Sequence, residues 1–283
     1  MAILLDGKKV AARVTAEVKE ALAGLKKGAP RLASIRVGQT AAMDLYLKSQ
    51  ARLAGELGIA YQDEVLPADA TQRQVEDVIA GFNKDAATTG IILQMPAPAA
   101  LRPEALRRAI APQKDAEGVH PAHLGEVVLG KARVAPCTAA ACLEILKHYE
   151  IPLRGREAVV VGHSEIVGKP LSMMLLDEFA TTTVCHIATS EAGQLEEHVR
   201  RADVLVVAVG CAQMIKGAWI KEGAAVVDVG INRSAQGIVG DVEFEAASRR
   251  AGWITPVPGG VGPVTVAMLM RNVVELLKDR PTA

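Results

Sequence analysis

Glu157-Ala-Val-Val-Val-Gly-His-Ser-Glu-Ile-Val-Gly-Lys-Pro170 decides the fold. Its first five residues are a short, mostly apolar run ended by glycine, the pattern of a strand buried on both faces. Gly162 opens a turn, and a helix is expected over 168–179. Strand, glycine turn and helix start together place free N–H groups and a positive helix end where a pyrophosphate can sit. The spacing is G-x-S-x-x-x-G and not G-x-G-x-x-G. On this stretch alone, dinucleotide binding and an ordinary strand-to-helix turn both stay open.

The same alternation continues outward. Thr138 is expected to cap a helix running to about Tyr149. Strands are expected at 182–186, 203–209, 225–229 and near Trp253, with a helix at 194–201. Before residue 130, Asp6 can cap a helix with Val10, Val14, Val18, Leu22 and Leu25 on one face. Leu32–Gly38 reads as a strand leading into a helix at about 42–57, and Val65 and Leu66 fall in a second strand. Thr71 and Gln74 form a capping box for a helix that turns Val75, Val78, Ile79 and Phe82 inward. Gly90–Met95 is a buried strand ended by Pro96 and Pro98. Two strand–helix series imply an α/β protein of two α/β domains. Residues 1–136 with a C-terminal helix at about 264–283 form the first domain. Residues 137–263 form the second, a Rossmann-like doubly wound parallel sheet.

Thr255-Pro-Val-Pro-Gly-Gly-Val-Gly-Pro-Val-Thr265 is a shaped loop, since its prolines fix φ and its glycines accept angles closed to other residues. A helix follows, with Val266, Leu269, Val273 and Leu276 on its apolar face. Such a loop can bring its amides close to a flat, charged ligand.

Lysine plus arginine balances aspartate plus glutamate at 32 each, and aromatics make up 3% of the chain. No basic stripe interleaved with aromatics appears, so a nucleic-acid surface is not expected. The N-terminus does not read as a signal peptide and no apolar run reaches membrane length. A cytoplasmic protein with no membrane partner is expected. Cys137, Cys142, Cys185 and Cys211 lack paired metal-ligand spacing and read as buried thiols. His120, His123 and His186 also lack ligand spacing and read as structural, so no metal is expected. Lys114 and Asp115 read as a local charge pair or cap.

Tyr46, Gln94-Met-Pro-Ala-Pro98, Lys114-Asp-Ala-Glu-Gly118, Pro136-Cys-Thr138, Gly162-x-Ser-x-x-Val-Gly168, Asp228-Val-Gly-Ile-Asn232 and Pro256-Val-Pro-Gly-Gly-Val-Gly-Pro263 occur together and in order. Together they closely resemble the bifunctional methylenetetrahydrofolate dehydrogenase/methenyltetrahydrofolate cyclohydrolase family, over essentially the whole chain. The resemblance implies a homodimer of two-domain subunits with a folate cleft between the domains. It implies NAD(P)-dependent oxidation of 5,10-methylenetetrahydrofolate, then hydrolysis of the methenyl product to 10-formyltetrahydrofolate. The family's folate-contacting tyrosine falls on Tyr46 and its glutamine on Gln94. Its pterin-binding acid falls on Glu117 and its substrate loop on Pro258 and Gly259. Cofactor contacts fall on Gly162, His163, Ser164, the Ile187 position and Ile231. The family preference is NADP, but Ile187 offers no partner for a 2′-phosphate, and NAD stays open.

Two departures stand out. The family's catalytic lysine lies four residues after the tyrosine, and here that position is Gln50. Lys48 lies about 200° around the helix from it and points away. Arg52 is also displaced and cannot give up its proton. The acid at 117 is glutamate where the family has aspartate. Hydride loss from the methylene carbon needs no proton acceptor, whereas hydrolysis must deprotonate water, which glutamine cannot do. Dehydrogenation is therefore expected with weak or absent cyclohydrolase activity. The rivals are a dehydrogenase of another pterin or small carbonyl substrate, and a catalytically silent folate- or nucleotide-binding subunit.

Overall fold

The computed structural model describes residues 1–25, 28–38, 41–234 and 237–278, without the side chains of 41–43 and 45. Residues 279–283, expected in the last helix, lie outside it. In chain order come β1 (Ile3–Leu4), α1 (Gly7–Gly24), β2 (Arg31–Val37), α2 (Ala41–Glu56), β3 (Ala60–Leu66), α3 (Gln72–Lys84), β4 (Gly90–Leu93), α4 (Pro103–Ala109), α5 (Pro121–Val128) and α6 (Cys137–His148). There follow β5 (Glu157–Val161), α7 (Gly168–Asp177), β6 (Thr181–Cys185), α8 (Ile187–Glu191), α9 (Leu195–Arg201), β7 (Val204–Val207), β8 (Ala225–Asp228), β9 (Asn232–Ser234), β10 (Gly237–Val239), α10 (Phe244–Ala247), β11 (Trp253–Ile254) and α11 (Val261–Lys278).

The chain divides into two compact units. The first comprises Val14–Glu126, Ala132–Ala135 and Val266–Ala283, and the second Met1–Arg13, Val127–Lys131 and Pro136–Thr265.

In the first unit β3, β2 and β4 form a parallel sheet in that order. Strand side chains alternate between faces. Ala33, Ile35, Val37, Ile91 and Leu93 pack with Val75 and Ile79 of α3 and Leu106 of α4. Full burial of each large aliphatic contributes roughly 1.5–3 kcal/mol. The capping box is formed, with the Thr71 hydroxyl accepting from the Gln74 N–H and the Gln74 side chain from the Thr71 N–H. Ser34, between Ala33 and Ile35, is left for the opposite face. Asn272 of α11 donates to the carbonyls of Ala116 and Ala135 at 3.0 and 2.9 Å, tying the last helix into this unit.

The second unit holds a parallel six-stranded sheet in the order β1-β11-β8-β7-β5-β6. The chain leaves β5 for β6 on one side and returns to β7 on the other. The strand order therefore reverses at β5, where folds of this kind bind ligands at the carboxyl strand ends. Strand β5 has the bounds read from the sequence. Residues 1–13 join this unit, although the sequence reading assigns them to the first domain. Ile3 and Leu4 pair with Trp253 and Ile254, a nonlocal pairing invisible in a two-residue run.

Thr138 does not cap α6. The helix starts at Cys137 with Pro136 in the cap position, so Thr138 falls inside the first turn and makes no capping bond. Cys137, Cys142 and Cys185 are buried, but Cys211 is exposed on the loop after β7, which corrects the expectation for that thiol.

Candidate functional site

Four uncharged side chains meet on the polar side of the first unit's sheet. Ser34 comes from β2, Tyr61 from β3, Gln94 from the residue after β4, and Gln50 from α2. Gln94 leaves its strand with its N–H still bonded to the Ile35 carbonyl at 2.8 Å, which fixes its direction. Its Nε2 donates to Ser34 Oγ at 3.0 Å and to Gln50 Oε1 at 2.9 Å. The Tyr61 hydroxyl donates to the same Gln50 oxygen at 2.9 Å. Gln50 is wholly buried, and its Nε2 has no hydrogen-bond partner among the described residues. Burial pushes the Tyr61 phenol up to about 12, opposed first by the Ser34 hydroxyl, so it stays a donor throughout the neutral range.

Tyr46 is half-buried one turn before Gln50 on α2. Lys48 is exposed, and Arg52 is an exposed side chain paired with Glu56 at 2.6 Å. Neither cation takes the position that Gln50 occupies.

Glu117 stands on a separate turn of the same unit. Asp115 shapes that turn by accepting from the N–H groups of Gly118 at 3.1 Å and His120 at 2.7 Å. Burial raises the Asp115 carboxyl above the usual carboxylate range, with the His120 N–H opposing it. The Glu117 residue keeps some surface, but desolvation of its carboxyl pushes it up to about 7. The Arg107 guanidinium opposes that rise and the Asp115 charge adds to it. Of the pair and cap readings, the capping one fits: Lys114 closes the end of α3 and Asp115 closes its own turn. Lys114 donates to the carbonyls of Phe82 and Asp85 at 2.7 Å, at the end of α3.

In the second unit the turn after β5 is compact for a steric reason. A Cβ on Gly162, which has a φ of +120°, would lie 2.3 Å from the Ala208 carbonyl oxygen. A Cβ on Gly168 would lie 1.9 Å from the Gly162 oxygen. Only glycines let the turns after β5 and β7 approach so closely and let α7 start beneath them. Ser164 steadies the bend, its hydroxyl accepting from the Val167 N–H at 3.2 Å and its carbonyl from the Lys169 N–H at 3.0 Å. His163 and Ser164 are exposed on it, and the His163 and His186 rings stand 5.4 Å apart. Ile187 begins α8 and Ile231 precedes β9, both largely exposed. Together these residues fit a dinucleotide: a turn bounded by two glycines, a helix start and exposed apolar edges at a strand-order reversal.

The proline-glycine loop is anchored at its base. Gly7 donates to the Gly259 carbonyl at 3.0 Å, and a Cβ on Gly7 would lie 1.7 Å from the Gly260 oxygen. Gly259 has a φ of +104°, and Pro258 is exposed.

Behind the loops after β7 and β8 lie two buried aspartates. Asp228 accepts from the N–H groups of Gly230, Asp241 and Val242 at 2.9, 3.0 and 2.9 Å. Asp241 accepts from Val209, Gly210 and Asn232 Nδ2 at 2.8, 2.9 and 2.8 Å. Burial pushes Asp228 up to about 6, against the pull of its three N–H donors and with the Asp241 charge adding to the rise.

Residues 5–117 match the model of the tetrahydrofolate dehydrogenase/cyclohydrolase catalytic domain, and 136–281 that of the family's NAD(P)-binding domain. The chain belongs to this family. It is 47% identical over 280 residues to bifunctional protein FolD 2 of Mesorhizobium japonicum, covering 96% of this chain and 90% of that one. It is 48% identical over 276 residues to FolD of Rhodobacter capsulatus, covering 95% and 91%. The FolD crystal structure from Campylobacter jejuni superposes with a TM-score of 0.93 at 41% identity, over 99% and 100% of the two chains. That of Trypanosoma brucei FolD, complexed with NADP and an inhibitor, gives 0.92 at 36% identity, over 98% and 97%.

Within this family member, Gln50 and Gln94 are bonded to each other and Tyr46 shares their unit. Pro258, Gly259, Gly162, His163, Ser164, Ile187 and Ile231 lie in the second unit. Sequence reasoning missed Tyr61 and Ser34. Ser34 had one signal, a polar residue between apolar strand neighbours; Tyr61 sits in a largely polar strand and had none, and nothing local paired either with Gln50.

Proposed function

We propose that this member of the family oxidises 5,10-methylenetetrahydrofolate with NADP and has little or no methenyltetrahydrofolate cyclohydrolase activity. The observation that carries the second half is the state of Gln50. An amide nitrogen is no base at neutral pH, and the amide oxygen has both lone pairs filled, by Tyr61 and Gln94. Position 50 therefore has no atom to receive a proton from attacking water. The loss of one general base costs about 10²–10⁴-fold.

Oxidation makes no such demand. A nitrogen lone pair on the substrate assists loss of hydride from the methylene carbon, leaving an amidinium-like cation, and no proton moves. Bound NADP supplies the hydride acceptor, held by the Gly162 turn, His163, Ser164, Ile187 and Ile231. The chain must orient the folate and keep water away. Tyr46, Gln94, Pro258 and Gly259 are the residues for orientation, and Glu117 for the pterin's N–H groups. A carboxyl at about 7 is still largely proton-free just above neutrality, which suits an acceptor. The family resemblance supports a homodimer working in the cytoplasm.

The purified protein, followed at two wavelengths, should reduce NADP and accumulate methenyl absorbance. Rapid enzyme-dependent decay of that absorbance would refute the proposal. Gln50→Lys is expected to raise hydrolysis by at least tenfold, toward the 10²–10⁴-fold assigned to one base.

A further inference from the structure

Tyr61 belongs to no motif in the sequence, yet it decides what Gln50 can do. The four side chains form a run of hydrogen bonds in the order Ser34, Gln94, Gln50, Tyr61. Gln94 Nε2 spends one hydrogen on Ser34 Oγ and the other on Gln50 Oε1, and Tyr61 spends its only hydrogen on that same oxygen. An amide oxygen accepts two hydrogen bonds, so Gln50 Oε1 is saturated. Gln50 Nε2 is buried and unpartnered among the described residues. Buried amide donors nearly always find acceptors, so an open one beside a saturated amide oxygen points to a group that arrives with a ligand.

The cluster also limits the ligand's chemistry. It carries no charge, and its one buried unpartnered atom among the described residues is a donor. Such a donor matches an uncharged acceptor, and reduced folates carry carbonyl oxygens on both the pterin and the benzoyl amide. Neighbouring charges hold the strand that presents Tyr61. Arg36 is bonded to Asp63, two residues on, through Nε and NH2 at 3.1 and 2.9 Å.

We propose that Tyr61 is a positioning residue that, together with Gln94, locks the Gln50 amide so that Nε2 is kept for a carbonyl oxygen of the bound folate. The proposal rests on the folate reading above. It assigns Gln50 a binding role in place of the proton transfer it cannot perform.

A double-mutant cycle separates this role from a packing role. Wild type, Tyr61→Phe, Gln50→Ala and the double variant are titrated with tetrahydrofolate under anaerobic conditions by calorimetry, with thermal midpoints read in parallel. Tyr61→Phe should weaken binding about three- to tenfold, the range of one neutral hydrogen bond. It should also raise KM for methylenetetrahydrofolate more than it lowers kcat. In the Gln50→Ala background the same change should have no further effect. Equal losses in both backgrounds would make Tyr61 a packing residue and overturn the proposal, as would unchanged binding in Tyr61→Phe. Should the phenylalanine variant not fold, Tyr61→Met takes its place in the same cycle. A wild-type protein that binds no tetrahydrofolate would overturn the folate reading itself, and this proposal with it.

Discussion

The first unit buries Ser34, Gln50 and Gln94 beside a half-buried Tyr61, and the second buries Asp228 and Asp241. Both clusters take polar atoms out of water, but they balance their donors and acceptors differently. The aspartates receive six hydrogen bonds, three from backbone N–H groups of the loops after β7 and β8, two from those of Asp241 and Val242 after β10, and one from Asn232. Their partners belong to the fold, and they hold those loops in shape. The amide cluster fills the Gln50 oxygen twice and leaves the Gln50 Nε2 without a partner among the described residues. A polar cluster completed by the backbone is built for stability, and one left incomplete is built to meet something else.

That contrast is broken most directly at Asp241. Asp241→Ala strands two backbone N–H groups and the Asn232 amide, and should cost about 3 kcal/mol or more in urea unfolding. A loss below about 1 kcal/mol would mean that water or a rearranged loop replaces the carboxylate. Acidity sharpens the contrast next. Asp228 holds its proton more tightly folded than unfolded, since its pKa is raised from 3.8 to about 6. Its contribution is complete below about pH 4 and is lost as pH rises through about 6, a fall on the order of 3 kcal/mol. Amide exchange at Val206 and Val227 should report that fall, and Asp228→Asn should flatten it. The amide cluster has no group that titrates in this window, and exchange around Ile35 should lack the slope. The smallest effect is expected at Gln50. Gln50→Met removes an unsatisfied donor while stranding Tyr61 and one Gln94 hydrogen, so stability should change by about 1 kcal/mol or less. Folate binding, not stability, should register that change.

Sequence legibility follows the same division. Strand β5, the Gly162 turn and the α3 capping box are local events, set by residues within a few positions of one another, and they appear where the pattern put them. The departure at position 50 was legible because Tyr46 and Gln50 share a helix face. What escaped was nonlocal. β1 is two residues long and exists only because β11 offers an edge. Tyr61 reaches Gln50 across a strand-to-helix contact that no periodicity encodes. The acid pair reads in sequence as two unrelated aspartates, 13 positions apart. Thr138 failed as a cap because Pro136 had already taken the role.

The pairing of β1 with β11 has a further consequence during synthesis. Residues 3 and 4 emerge from the ribosome first, but their sheet partners, residues 253 and 254, emerge among the last. Conversely Asn272, near the C-terminus, closes a unit most of whose strands were made early. Neither pairing can therefore form until its later-made partner has left the ribosome.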